Sequence, residues 1–393
     1  MKSLLHILFL LLFASATAET NLFPIMPWNS APNDPAVLQK IKDCGFTVAG
    51  FVPPAGLDNC KKVGLKAIVS DARSSSYDWA SSVDENKAKT NVASLIAEVG
   101  NHPAVFGYYL RDEPSAAWFP NLEKVASQIR QLAPGKWPYI NLFPDYAENW
   151  QLGTTNYAEY LERFISTCHP QILSYDNYSI MDDGSLRNNY WTNLEAVRNA
   201  ALKHDLIFWN IVLSVAHFNY REPSAADLRF EAYTSLAYGA RGLAFFTYFA
   251  PPVGGYRNAP IDQFGHETPT WHHLQNVNLQ IQHLGPTLLQ LKSDEVYHLG
   301  TPPAGCNGPS TNSLLSGVSG GNWLIGDFTH SDGSRYVMIV NKDLTKSRAV
   351  SAQFRMSPKA LKHVSPYYGS LVAFEGEYVW LAPGQGVLLK PEW

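Results

Sequence analysis

Cysteine is scarce in this 393-residue chain. Cys44, Cys60, Cys168 and Cys306 lie far apart and match no zinc spacing. A disulfide-built scaffold is therefore excluded. Cys44 and Cys60 are the nearest pair in sequence, but a chain this long needs no covalent staple, so pairing and free burial both stay open. An excess of one charge is missing too: 30 Lys and Arg face 34 Asp and Glu, for a net charge of -4, and the basic residues form no run or stripe. Nucleic-acid binding has no electrostatic support. There is no G-x-S-x-G elbow, no H-E-x-x-H pair, no calcium loop and no Gly-rich phosphate loop. His272 and His273 are adjacent, and neighbours on a helix point in different directions, so they make no two-histidine metal site. No cofactor or metal is implied.

Long apolar runs are absent beyond the start of the chain, so no membrane span is expected. The opening "MKSLLHILFLLLFASATAET" has a lysine, an apolar stretch and small residues at Ala16 and Ala18. It reads as a signal peptide over 1–18, cleaved near Ala18, which makes the mature protein secreted or periplasmic. No cysteine stands directly after that point, so a lipid anchor is not expected. A monomer is the default oligomeric state.

What the chain has in abundance is aromatic residues, 13% of the total with 11 Trp and 20 Tyr. An aromatic core accounts for part of them. The rest suit a carbohydrate cleft, where the C–H faces of sugars lie on flat rings.

Short apolar runs then alternate with helical patterns. "LFPIMPW" precedes a helix near 35–44, "FTVAGF" one near 57–63, and "LKAIVSDA" one over about 84–99. "VFGYYLRDEPS" precedes 121–133, "WPYINLF" 157–168, "QILSYDNYS" 191–204, "LIFWNIVLS" 223–238 and "RGLAFFTYF" about 271–289. Eight such units over roughly 270 residues predict a (β/α)8 TIM barrel, with strands apolar on both faces. From about 293 the texture changes to Gly, Pro and Ser, followed by short alternating runs with Asp-Gly and Pro-Gly turns. The expected organisation is a barrel over 19–292 and a small antiparallel β-sandwich over 293–393.

In such a barrel the chemistry sits where strands end. The residues collected there are Asp71 and Arg73, Asp112 and Glu113, Asn141 and Asp145, Asp176, Asn177 and Tyr178, His217 and Tyr248. Asp71 and Asp145 have a ready alternative as helix caps. Trp28, Tyr109 and Trp209 are further aromatics in or beside the strands.

"GYYLRDEPS", "PSAADLRFEAYTSLAYGARGLAFFTYFAP" and "LAPGQGVLLK" resemble the clan A glycoside hydrolases. Members of that clan end strand four with Asn-Glu-Pro, whose glutamate is the general acid/base. The resemblance implies that role for Glu113 and a carbohydrate substrate. Asp112 stands in place of the asparagine that contacts the hydroxyl beside the anomeric carbon. The clan's nucleophile is a glutamate ending strand seven, yet "FWNIVLSVAHFNYREPS" offers none before Glu222.

The second catalytic group is thus open. Asp176, ending strand six, is the first candidate. Asp112 could instead orient a substrate group, as in substrate-assisted glycosidases. If Asp176 is the partner, its separation from Glu113 should be about 5–5.5 Å for retention or about 6.5–9.5 Å for inversion. Tyr178, Tyr248, Asn141, His217, Asp71 and Arg73 are the expected substrate contacts. A barrel that binds carbohydrate without cleaving it is the competing function.

Overall fold

The computed structural model describes residues 22–393, so the expected leader lies outside the described residues. Eight parallel strands form the barrel: β1 (Ile25–Pro27), β2 (Val48–Val52), β3 (Lys66–Val69), β4 (Val105–Asp112), β5 (Trp137–Leu142), β6 (Ile172–Asp176), β7 (Ile207–Leu213) and β8 (Leu243–Phe246). Their order is β1-β8-β7-β6-β5-β4-β3-β2. The remaining seam between β1 and β2 is closed by Thr47 N–H donating to Ile25 O at 2.9 Å and Phe51 N–H donating to Asn29 O at 2.9 Å. Gly50 permits that closure, since a Cβ there would stand 2.1 Å from Asn29 O.

The helices are α1 (Pro35–Asp43), α2 (Leu57–Val63), α3 (Ala72–Ser75), α4 (Glu85–Val99), α5 (Phe119–Leu132), α6 (Asn149–Leu152), α7 (Tyr157–Cys168), α8 (Tyr190–Lys203), α9 (Ala225–Ala237) and α10 (Pro269–Leu288). Their starts follow local chemistry. Asp34 accepts from Ala36 N–H at 2.7 Å with Pro35 at the first helical position, and Ser224 forms a capping box with Asp227. The sequence pattern anticipates the eight longer helices, while α3 and α6 are single turns that hydrophobic periodicity does not register.

Two apolar layers hold the barrel. One lies between strands and helices, with Ile25, Val69, Val105, Leu173 and Phe245 packed on Leu38, Leu95, Leu122 and Leu274. The other fills the interior, with Met26, Val48, Ile68, Tyr139, Ile211 and Trp209. Apolar residues on both strand faces are the reason the strand sequences run without polar alternation.

The C-terminal part is antiparallel. Its strands are β9 (Leu291–Leu299), β10 (Leu315–Val318), β11 (Trp323–His330), β12 (Arg335–Asn341), β13 (Arg348–Ala349), β14 (Ala352–Phe354), β15 (Ala360–Val364), β16 (Leu371–Ala373), β17 (Trp380–Leu381) and β18 (Gly386–Glu392). Six of them form one sheet in the order β16-β15-β18-β12-β11-β9, and β10-β14 and β13-β17 form two small ones. One face of the large sheet joins the barrel core through Val296, Leu324, Phe328 and Met338. The other face builds a second core from Tyr297, Trp323, Ile325, Val337 and Leu389. Gly326 lets β11 lie against the end of α9, because a Cβ there would stand 2.2 Å from Ala237 O.

All four cysteines are free, with Cys44, Cys60 and Cys168 buried. Among the described residues no helix is long and apolar enough to cross a membrane.

Candidate active site

Strand β4 carries the acids, and its pairing with β5 determines how they are presented. The register slips between Tyr109 and Arg111, so that Asp112 pairs with Asn141. Such an irregularity turns the side chains beyond it. Glu113, the next residue, has φ of 43°, in the left-handed region that non-glycine residues seldom occupy. Its N–H donates to Asn141 O at 2.9 Å, and Tyr160 OH holds the following Pro114 carbonyl at 2.8 Å. The strained backbone is thus pinned on both sides.

Asn141 is the hub. Its Nδ2 donates to Asp112 Oδ1 at 3.0 Å and to Asp176 Oδ1 at 2.8 Å. Its Oδ1 accepts from Ser174 Oγ at 3.0 Å, and that hydroxyl shares a 2.8 Å hydrogen bond with Tyr139 OH. One amide from β5 therefore fixes the carboxyl groups of β4 and β6, its two neighbours. Asp176 is only 5% exposed, and its carboxyl is in hydrogen-bond contact with that of Glu113. A contact of that kind is closer than the separation of a usual retaining or inverting pair.

Burial dominates the electrostatics. It pushes Glu113 up to about 7, with the Asp112 charge as a second cause and the Asp176 hydrogen bond opposing. Burial, then Glu113 and Asp112, raise Asp176 well above the ordinary carboxylate range. Asp112 is also raised by burial, offset by the Asn141 hydrogen bond. Three acids this close cannot all carry charge at neutral pH, so the cluster retains protons where a surface carboxylate would not.

An aromatic wall stands beside Asp176. Tyr178 stacks on Phe246 at 5.4 Å and meets His217 and Tyr220 edge-on at 6.0 Å. His217 lies flat on Tyr256 at 5.1 Å, with its imidazole pushed below its ordinary pKa by burial. Arg187 lies over the Tyr146 ring at 4.2 Å and donates to Tyr220 OH at 2.8 Å. On the other side of the mouth, Phe51 packs against Trp28 at 4.7 Å and against Tyr109 at 4.4 Å.

Several expected contacts belong elsewhere. Tyr248 is fully buried outside the barrel, accepting from Trp271 Nε1 at 3.0 Å and packed edge-on against Phe46 at 5.6 Å. Trp209 plugs the opposite end of the barrel with Phe106 and Trp137. Asp71 caps α3 and grips Arg73 through Nε at 2.8 Å and Nη2 at 3.0 Å, and Arg73 also reaches Glu98 at 2.8 Å. Their charges are spent on each other rather than turned to the mouth.

Asp145 anchors α8 instead of capping the next helix, accepting from Asn189 Nδ2 at 2.6 Å and Thr192 Oγ1 at 3.2 Å. Asn177 donates to Asn193 Oδ1 of the same helix at 2.8 Å. Glu222 has a side chain 51% exposed and is held by Arg257 at 3.5 Å and Asn258 at 2.5 Å.

Phe51, Tyr146, Arg187, Tyr220, Phe246 and Tyr256 escaped the sequence reading. Phe51 and Phe246 sit in or at the end of their strands, and an inward count by twos from each strand end would have found them. The loop residues carry no such signal. Among the described residues no group of three or more His, Cys, Asp and Glu side chains is arranged to hold a metal ion.

No family model matches the chain, and no curated protein matches it. Solved structures do. One described as a glycoside hydrolase superposes with a TM-score of 0.60 at 13% identity, over 95% of this chain and 96% of that one. A family 5 glycoside hydrolase from Bacteroides vulgatus ATCC 8482 gives 0.59 at 12%, over 94% and 89%. A catalytic mutant of a family 42 β-galactosidase from G. stearothermophilus gives 0.56 at 9%, over 94% and 98%. Of a β-galactosidase from the psychrophilic Marinomonas ef1 the chain spans 60%, at a TM-score of 0.49. The first three likenesses extend over nearly the whole chain, so the protein shares the TIM-barrel fold of these glycoside hydrolases, followed by antiparallel C-terminal sheets.

Proposed function

We propose that this protein is an exported glycoside hydrolase in which Glu113 is the general acid/base. The observation that carries the reading is the contact of Glu113 with Asp176 at the barrel mouth, with Glu113 raised to about 7. A carboxylic acid that keeps its proton near neutral pH can give it to a departing glycosidic oxygen. Glu113 and Asp176 titrate as a pair, and with their shared proton on Glu113 the Asp176 carboxylate would offset the positive charge of the oxocarbenium-like transition state. Asn141 holds Asp176 and Asp112 in place. The aromatic wall around Tyr178 offers faces for the sugar.

A barrel that only binds carbohydrate accounts less well for these features. Burying neighbouring carboxyl groups and straining Glu113 oppose folding, and binding a neutral sugar requires neither. Export rests on the leader sequence over 1–18.

Hydrolysis of a panel of glycans and aryl glycosides, with Glu113→Gln run in parallel, tests the reading. Turnover lost in the variant supports it. Binding without turnover by the wild-type protein would establish the non-catalytic alternative.

A further inference from the structure

The contact between Glu113 and Asp176 leaves the reaction without an ordinary nucleophile. An inverting enzyme needs room for water between its carboxyl groups, about 6.5–9.5 Å, and a retaining one needs about 5–5.5 Å. Two carboxyls in hydrogen-bond contact meet neither requirement. Nor does the rest of the described rim supply an attacking group across from the acid: Asp112 adjoins Glu113 in the chain and shares the Asn141 amide with Asp176. Strand β7 runs out at Leu213 and Ser214, whose hydroxyl donates to Thr247 O at 3.1 Å. The chain beside β1, β2 and β8 presents Trp28, Phe51 and Phe246. Asp71, Asp145 and Glu222 are tied to Arg73, Asn189 and Arg257.

What the site has instead is an acid with a second carboxyl in hydrogen-bond contact and a cluster of rings next door. Asp176 lies close enough for its charge to act on both Tyr178 and Tyr146. Tyr178 is backed by Phe246 and His217. An acetamido group matches these surroundings: its N–H has an acceptor in Asp176, its methyl has ring faces to lie on, and its carbonyl oxygen is a nucleophile.

Building on the hydrolase reading above, we propose that the substrates are 2-acetamido-2-deoxyglycosides and that the acetamido carbonyl oxygen attacks the anomeric carbon. The C–O bond to the leaving group breaks as the leaving-group oxygen takes the proton of Glu113, and an oxazolinium ring forms. Asp176, which accepts its N–H, offsets the new positive charge. Water then attacks the same carbon and gives a proton to the Glu113 carboxylate, while the ring opens to restore the acetamido group. One water is consumed and the anomeric configuration is retained.

Matched 4-nitrophenyl glycosides with a 2-acetamido or a 2-hydroxyl group, in both the gluco and galacto series, test the proposal. Turnover of one 2-acetamido compound should exceed that of its 2-hydroxyl counterpart on the order of 10²-fold or more, as expected of an intramolecular nucleophile. The rate should fall stepwise as the acetyl methyl is fluorinated, and the thiazoline analogue of the preferred sugar should inhibit competitively. Equal or faster turnover of the 2-hydroxyl compounds overturns the proposal and leaves the hydrolase reading standing. No turnover across this panel and the wider glycan panel, with no thiazoline binding by calorimetry, overturns both.

Discussion

At the floor of the barrel Phe106, Trp137 and Trp209 close over one another with ring centroids 4.9 to 6.0 Å apart. At the mouth the same cross-section holds Asp112, Glu113, Asp176 and Asn141, with a backbone strained at Glu113. The floor is what parallel strands do by default, burying large apolar side chains in the interior. The mouth opposes folding through desolvated acids and a positive φ. Strand ends that resist folding while the other ends promote it mark where selection acted on chemistry rather than stability. Substitutions at the two ends should therefore move different observables.

The largest effect is expected at the mouth. Glu113→Gln preserves volume but removes the transferable proton, and turnover should fall by about 10² to 10⁴-fold. The unfolding midpoint should not drop. Substrates with good leaving groups should lose less, because they need less protonation. Steady-state kinetics on a matched pair of leaving groups checks this, and activity within a few-fold of wild type would remove Glu113 from the mechanism.

Trp209→Ala makes the opposite demand. It empties the floor where Gly242 already gives the indole its space, a Cβ there standing 2.3 Å from the ring. Loss of a large buried aromatic should cost about 3–5 kcal/mol of stability. Denaturant unfolding should show it, while any protein still folded at low temperature should keep the wild-type pH profile.

That profile is the third test. With Glu113 at about 7, the acid form needed for leaving-group protonation is lost as pH rises through that value. kcat/KM should therefore fall on the alkaline side from near neutrality, and Glu113→Gln should abolish that limb. A profile flat up to about pH 9 would show that no raised carboxyl is in use.

Much of this contrast is legible in the sequence, and the limits have physical causes. Glu113 at a strand end follows from the apolar run before it, and the eight long helices follow from their periodicity and caps. The contact with Asp176 does not follow, because it depends on the slip between Tyr109 and Arg111 and on the barrel's curvature. Trp209 has the inward parity of a pocket residue but lies near the start of β7, so it reaches the floor. Tyr248 fails differently. Counting by twos from Phe246 points it inward, yet β8 has ended, and Asn29 Oδ1 captures the N–H groups of Tyr248 and Phe249 at 2.6 and 3.1 Å. The turned chain carries the ring outside, between Phe46 and Trp271.

The smallest effect sharpens the comparison most, because a raised carboxyl is not by itself a site. Glu231 on α9 is 2% exposed, with Oε1 lacking a partner. Burial, reinforced by Asp227, raises it well above the ordinary range, as with Asp176. Each acid binds its proton more tightly when folded than when unfolded. Its stabilising contribution is complete below the unfolded carboxylate value of about 4 and is lost as pH climbs through the folded one. Glu231→Gln and Asp176→Asn should therefore both raise the unfolding midpoint at pH 7 to 8, by about 1–3 °C for roughly 1 kcal/mol, and both gains should vanish below about pH 4. Activity separates them. Glu231 lies on α9, outside the cluster that Asn141 holds together, so its variant should turn over at the wild-type rate. Asp176→Asn should be more stable and nearly inactive. If the asparagine variant stayed active, Asp176 would be another buried acid like Glu231, and the contrast between mouth and floor would rest on Glu113 alone.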